Sequence, residues 1–349
     1  MKVAIVAFAN MKYSPYVKTY SDYLDKKGVE YNVIYPKREK IDDNLSGKHY
    51  PIEWNPRKNK FWNFLAFRRE ASKILKENKY DFVFVLTTFP AVLLASVLKR
   101  HYKGRYLVDI RDYTHENNKI YFHYEKKALR NSKANVISSV GFKRFLPEGE
   151  YLLCHNMPGN YTNPKVVFRK ATDKIIIGYV GTIGYKTHCR KLIDFVKNDE
   201  RFCFYFHGNE KGDKSITSYV NELQNERIKC FGPYDPNDKF NIIESVDILF
   251  NVYGNQSQLV KCAVSNKLYD SFYFKKPLLT SSETIMSDLA GEYSYDLDLC
   301  TDNIDKIYEW YNSINADQMI VYMNEKINQN LREMHDFYSS IDKFLEGLN

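Results

Sequence analysis

Three short stretches of this chain carry side chains whose types and spacing could do chemistry. The first is Gly181-Thr182-Ile183-Gly184, directly after the apolar run Ile175-Ile176-Ile177-Gly178-Tyr179-Val180, with Arg190 and Lys191 shortly beyond it. Glycines that end a buried strand let backbone N–H groups approach an anion. A helix N-terminus with a nearby cation adds the charge that a diphosphate needs. A tight turn that needs glycine conformations explains the same residues without any ligand. The second stretch begins Ser265-Asn266-Lys267-Leu268-Tyr269-Asp270 and ends at Lys276-Pro277. A lysine at a helix start adds charge where the dipole is already positive, and a carboxylate one turn later can accept from two vicinal hydroxyls. The alternative is a solvated cation and a first-turn acid that merely complements the dipole. The third stretch, Asp109-Ile110-Arg111-Asp112-Tyr113-Thr114-His115-Glu116, closes the apolar run Tyr106-Leu107-Val108. Asp112, with Arg111 and His115 near it, suits acid–base work, while Asp109 and Arg111 could equally pair to organise the loop.

The elements that must position these residues alternate almost throughout. In the first half, strand patterns at Val3 to Phe8, Glu30 to Tyr35, Asp81 to Leu86, Arg105 to Ile110, Asn135 to Ser138 and Tyr151 to Cys154 are separated by helical patterns. These are Tyr16 to Lys27, Lys60 to Asn78, Ala91 to His101 and Lys119 to Asn131. Parallel strands need crossover helices, so the alternation predicts a doubly wound parallel α/β sheet. Turn formers cluster from Asn156 to Pro164, and then the pattern restarts with strands at Lys174 to Val180, Phe202 to His207, Ile228 to Phe231, Ile248 to Val252 and Pro277 to Thr280. Helices are expected at Arg190 to Asn198, Ser215 to Asn225, Pro236 to Ser245 and Lys267 to Phe274. Past Asp302 the chain reads as helical, with a last helix from about Gln329 to Gly347. Ligands of such sheets bind beyond the carboxyl ends of the strands, which is where all three stretches fall.

A length of 349 residues suits two domains, 1–160 and 165–328. With 51 basic against 43 acidic residues the net charge is +8, which favours an anionic partner without choosing among nucleic acid, nucleotide-sugar and lipid phosphate. The six cysteines form no CxxC pair and no metal-type spacing, so they read as reduced thiols of a cytosolic protein. Lone histidines such as His155, His188 and His207 show no metal pattern either, and Asp296-Leu297-Asp298 falls in a loop-like tract. No apolar run reaches the roughly 18 residues of a membrane span.

The run from Ile175 to Ser281 resembles the donor half of a GT-B glycosyltransferase of the family 4-like type found in bacterial capsule and lipid-linked oligosaccharide synthesis. The glycine loop comes first, then Phe231-Gly232-Pro233-Tyr234, Val246-Asp247-Ile248-Leu249 and Ser265-Asn266-Lys267-Leu268-Tyr269-Asp270, in the family's order and spacing. The stretch from Tyr106 to Glu116 resembles the family's D-x-R-D strand end. The passage from Glu125 to Ser139 is similar to its E…A-D-x-V-I-x-V-S segment, with Asn135 in place of aspartate.

The resemblance implies two Rossmann-like domains facing a cleft, with the terminal helix (about 329–349) crossing back to the first domain. It also implies transfer of a sugar from a nucleotide diphosphate donor, UDP- or GDP-linked, to a glycan or polyprenyl-diphosphate-linked acceptor, with retention. No bound metal and no cofactor would be needed. Lys267 would meet the donor phosphates and Asp270, where glutamate is usual, the ribose hydroxyls. Gly181, Thr182, Gly184 and Arg190 would complete the donor site. The family's second glutamate, eight residues earlier, is Cys262 here, so sugar contacts fall to the loop from Asn255 to Gln258 and to Lys261, which could instead supply the phosphate contact. Asp112 is the expected acceptor-side acid, with Arg111 and His115 beside it. A nucleotide-sugar 2-epimerase and a non-catalytic nucleotide-sugar-binding subunit are the rival readings, and a nucleic-acid partner is not expected.

One further element bears on location. From Pro56 to Arg69, cations alternate with Phe61, Trp62, Phe64, Leu65 and Phe67. A basic helix with aromatic residues can lie in an anionic membrane interface, which would place the protein in the cytoplasm at the inner face of the membrane and suit a lipid-linked acceptor. An ordinary crossover helix that buries its aromatics against the sheet is the alternative.

Overall fold

Strands buried on both faces read as unbroken apolar runs, and such runs make the spine of both sheets. The computed structural model describes residues 1–8, 15–38, 46–157, 170, 173–297 and 304–347. The chain divides into two compact units, Met1–Asn156 with Arg332–Asn349, and Met157–Leu331.

In the first unit the described strands are β1 (Lys2–Val6), β2 (Glu30–Lys37), β3 (Lys48–Glu53), β4 (Phe82–Leu86), β5 (Tyr106–Ile110), β6 (Ala134–Ile137) and β7 (Leu152–Leu153). They pair in parallel in the order β3-β2-β1-β4-β5-β6-β7. Helices α1 (Pro15–Lys26), α2 (Lys60–Asn78), α3 (Thr88–His101) and α4 (Lys119–Leu129) make the crossovers. Strand β3 was not expected, because Gly47 and Pro51 break its pattern. It lies at the sheet edge, where a proline costs no ladder bond on its open side.

The second unit repeats the plan with β8 (Ile175–Val180), α5 (Lys186–Val196), β9 (Phe202–His207), α6 (Ser215–Leu223), β10 (Ile228–Gly232), α7 (Lys239–Glu244) and β11 (Ile248–Phe250). There follow α8 (Gln258–Cys262), α9 (Asn266–Phe274), β12 (Leu278–Thr280), α10 (Ile285–Ala290), β13 (Ser294–Asp296) and α11 (Ile304–Ser313). The strands are again parallel, in the order β10-β9-β8-β11-β12-β13. The order reverses between β1 and β4 in one sheet and between β8 and β11 in the other, and such switch points open a crevice for ligands.

The final helix, α12 (Ala316–Glu346), starts well before the expected Gln329, because polar positions such as Asn324 and Asn328 blur its apolar period. Met319 and Met323 belong to the core of the second unit. Phe337, Ile341 and Leu345 are buried in the core of the first, among Val3, Ile5, Tyr20 and Tyr23. The stretch 158–164, part of the expected interdomain turn, and Asp298 lie outside the described residues, as does Cys300. Cys154, Cys189, Cys203 and Cys230 are free thiols.

Candidate donor and acceptor sites

In the second unit the loop after β8 is built by backbone pairing with its neighbours. The Gly181 N–H donates to His207 O at 2.8 Å and the Ile183 N–H to Asn209 O at 2.8 Å. The Gly184 N–H donates to the Tyr179 hydroxyl at 3.0 Å. These donors are therefore engaged in holding the loop. The Gly181 carbonyl in turn lies so close to Gly208 that a Cβ there would come within 1.9 Å of it, and Gly208 has a φ of +142°. Thr182 is exposed.

Strand β11 sets the start of α9. Asn251 at its end is fully buried and accepts from the Ser265 hydroxyl at 2.7 Å, which fixes the first turn of the helix. Lys267 follows, 7% exposed, at the carboxyl edge of the sheet. Its Nζ donates to the Tyr253 hydroxyl at 3.0 Å and lies 4.3 Å from the Tyr179 ring centre. Tyr185 stacks on Tyr253, ring centres 4.3 Å apart. Among the described residues no carboxylate comes within ion-pair distance of Lys267. A buried ammonium that leans on tyrosine rings instead of a carboxylate keeps its positive field for an incoming anion.

The other expected donor residues stand differently. Asp270 is 2% exposed, and its Oδ1 accepts from Lys239 of α7 at 2.7 Å. Lys261 pairs with Glu283 at 2.6 Å. Arg190 is turned toward α6, its guanidinium 4.1 Å from the Tyr219 ring centre. Lys239, Tyr185 and Tyr253 were not singled out from sequence, because what joins them to Lys267 and Asp270 is sheet topology rather than local spacing.

In the first unit, Asp109 at the end of β5 is fully buried. Its Oδ2 accepts from Tyr20 at 2.8 Å and from Arg111 Nε and Nη2 at 2.8 and 2.6 Å. Arg111 also reaches the Cys154 carbonyl at 3.1 Å. Burial pushes the Asp109 carboxyl up, against the pull of Arg111. The guanidinium cannot lose its proton and makes two hydrogen bonds to the carboxylate, so the pair stays ionised. Arg111, expected beside the reacting atoms, is instead the organiser of this strand end.

Asp112 is solvent-exposed, with enough protein around it that partial burial pushes its carboxyl up, opposed by the Arg111 charge. His115 is exposed and sets its ring against Tyr121 and Phe89. Thr87, at φ +77°, turns β4 into α3 and donates to the Asp109 carbonyl at 2.7 Å. A β-branched residue at that φ is held there by its surroundings, and such positions gather at functional edges.

Two further acids were not picked out for a role in the site. Glu116 is buried and accepts from the Thr114 N–H at 2.5 Å. Glu125 on α4 is fully buried, and among the described residues neither carboxyl oxygen has a hydrogen-bond partner. Burial, then the charge of Glu116, pushes it up to about 8, so it holds a proton at neutral pH. Beyond β1 and β3, Phe8, Trp54, Phe64, Phe67 and Phe89 form an aromatic cluster, and Arg38 lies 4.3 Å from the Trp54 ring centre. Among the described residues no group of three His, Cys, Asp or Glu side chains could hold a metal ion.

Residues 2–140 match the family described as Glycosyl transferase 4-like. The chain has the GT-B fold. It superposes on a lipopolysaccharide outer core galactosyltransferase, WaaB, with a TM-score of 0.65 at 13% identity, covering 95% of this chain and 99% of that one. A glycosyltransferase from Rickettsia africae gives 0.70 at 12% identity, covering 99% and 98%. Anabaena HepE in complex with UDP gives 0.69 at 10% identity, covering 98% and 100%. No curated protein matches by sequence. At these identities the likeness to solved structures establishes the GT-B architecture, and the family match covers the unit that carries β5 and its acidic loop.

Proposed function

We propose that this GT-B protein is a hexosyltransferase. It takes a sugar from a UDP- or GDP-linked donor and places it on a hydroxyl of a glycan or polyprenyl-diphosphate-linked glycan, in bacterial surface polysaccharide synthesis at the cytoplasmic face of the membrane. The observation that carries the reading is Lys267, buried at the start of α9 with no carboxylate partner among the described residues, where the diphosphate of a nucleotide would neutralise it. HepE, of the same fold, has been solved with UDP and with UDP-glucose.

In the proposed reaction the bond from the anomeric carbon to the diphosphate oxygen breaks and a bond to the acceptor oxygen forms on the same face. The acceptor proton passes to the departing phosphate, and configuration is retained. Lys267 stabilises the charge that develops on the leaving group without a metal ion, and the Tyr185–Tyr253 stack frames it. Asp112, in the loop after β5 with its carboxyl pushed up by burial, would orient the acceptor by accepting from one of its other hydroxyls, and the exposed His115 of the same loop would line the acceptor's path.

The test is thermal unfolding with UDP, GDP, CMP and their sugars. A ligand at about 100 times its Kd stabilises by about 2.7 kcal/mol. One nucleotide diphosphate should raise the melting temperature of the wild type and leave Lys267→Ala unmoved; no shift with any of them refutes the donor assignment. A second reading, a nucleotide-sugar-binding subunit that does not transfer, is favoured by the engagement of Asp270 with Lys239. It predicts the same shift with no turnover on any acceptor.

A further inference from the structure

Helix α2 buries one narrow stripe, Asn63, Phe67, Ala71 and Leu75, at a spacing of four. A crossover helix of that kind should carry polar side chains elsewhere. Instead Phe61, Trp62 and Leu65 are 57%, 61% and 38% exposed, so the aromatics at its start are not spent on the sheet. Around them stand Arg57, Lys58, Lys60, Arg68, Arg69, Lys73 and Lys76, against two acids, Glu70 and Glu77. Those acids pair with Arg69 at 2.9 Å and Lys73 at 4.0 Å. Two open grooves cross this face, one between Lys58, Trp62 and Arg69 and the other between Arg68, Lys73, Lys76 and Val97, and Leu65 lines both.

We infer that this face of α2, with the preceding turn from Arg57 to Asn59, docks on an anionic phospholipid bilayer. Exposed tryptophan and phenylalanine seat at the headgroup boundary, and cations interspersed with them meet lipid phosphates; neither feature alone selects a membrane, and the two are combined here on one face. The surface is also continuous with the acceptor edge. Phe64, two residues past Trp62, packs at 4.8 Å on Phe89, which lies against His115. A docked α2 would thus hold the aromatic cluster and the loop after β5 close to the bilayer, where a lipid-linked acceptor resides. The inference deepens the proposed acceptor but does not rest on the donor site, so the two can fail separately.

The experiment uses the full chain as a Trp54→Phe/Trp310→Phe variant, which leaves Trp62 as its tryptophan. It is mixed with phosphatidylglycerol–phosphatidylcholine vesicles or with phosphatidylcholine alone. Expected are a blue shift of Trp62 emission and co-sedimentation with the anionic vesicles only, weakening with salt. Each cation removed lowers partitioning by about fivefold. Lys58→Gln/Lys60→Gln/Arg68→Gln/Arg69→Gln should therefore lose at least about 100-fold, and Phe61→Ser/Trp62→Ser at least about tenfold, read by sedimentation. Cooperative thermal unfolding without nucleotide, at the wild-type midpoint in both variants, would show that the chain is folded. No blue shift with anionic vesicles, undiminished binding by both variants, or self-association abolished by Phe61→Ser/Trp62→Ser without vesicle binding each overturns the inference.

Discussion

Replacing Glu125 with glutamine probes the least ordinary group of the first unit. The side chain is fully buried with no hydrogen-bond partner among the described residues, and its carboxyl is pushed from an ordinary 4.5 to about 8. Between those pH values the folded chain holds a proton that the unfolded chain has released. Stability therefore falls as pH rises, by about 1.4 kcal/mol per unit, from the unfolded value up to the folded one. From pH 5.5 to 7.5 this amounts to about 2.7 kcal/mol. Glutamine keeps the size and does not titrate, so the variant should gain that much on the wild type across the same interval. Urea unfolding read by the fluorescence of Trp54 and Trp62, both in the first unit, in a Trp310→Phe background and at both pH values, follows that unit. Subtracting one profile from the other removes the titration of Asp112 and Glu116. Parallel profiles would refute the assignment of Glu125 as a buried neutral acid.

Two further predictions concern the frame of the sites. Arg111→Met strands the buried Asp109 charge and should cost about 3–5 kcal/mol in urea unfolding; adding Asp109→Asn should restore a large part, whereas a purely catalytic Arg111 would leave stability unchanged. Gly208→Ala brings a Cβ within 1.9 Å of the Gly181 carbonyl at a φ of +142°, so it should lower the stability of the second unit by at least about 2 kcal/mol, and an unchanged melting temperature would disprove the contact.

The parallel plan was legible because strands such as Phe82–Leu86 and Tyr106–Ile110 are buried at every position and read as apolar runs. Strand β13, only Ser294–Asp296, is too short to leave a pattern. In the sites, the pairing of Asp109 with Arg111 could be anticipated because the two are local. The partner of Asp270 is Lys239, 31 residues earlier, and the ring that Tyr185 stacks on belongs to the loop after β11. Those meetings follow from strand order, which no local spacing encodes. The isolation of Glu125 was equally hidden, because the burial that leaves it without partners comes from tertiary packing.

The contribution of α12 to the first core has a consequence for biosynthesis. Tyr23 donates to Asp342 at 2.5 Å across 319 residues, and Phe337 fills the core beside Tyr20. A ribosome delivers the strands of the first sheet long before it delivers the residues that cover one face of that sheet. The whole second unit is synthesised in between. The nascent first sheet therefore waits with Val3, Ile5 and Tyr20 incompletely covered, a state that invites chaperone binding and exposes the chain to aggregation until α12 arrives.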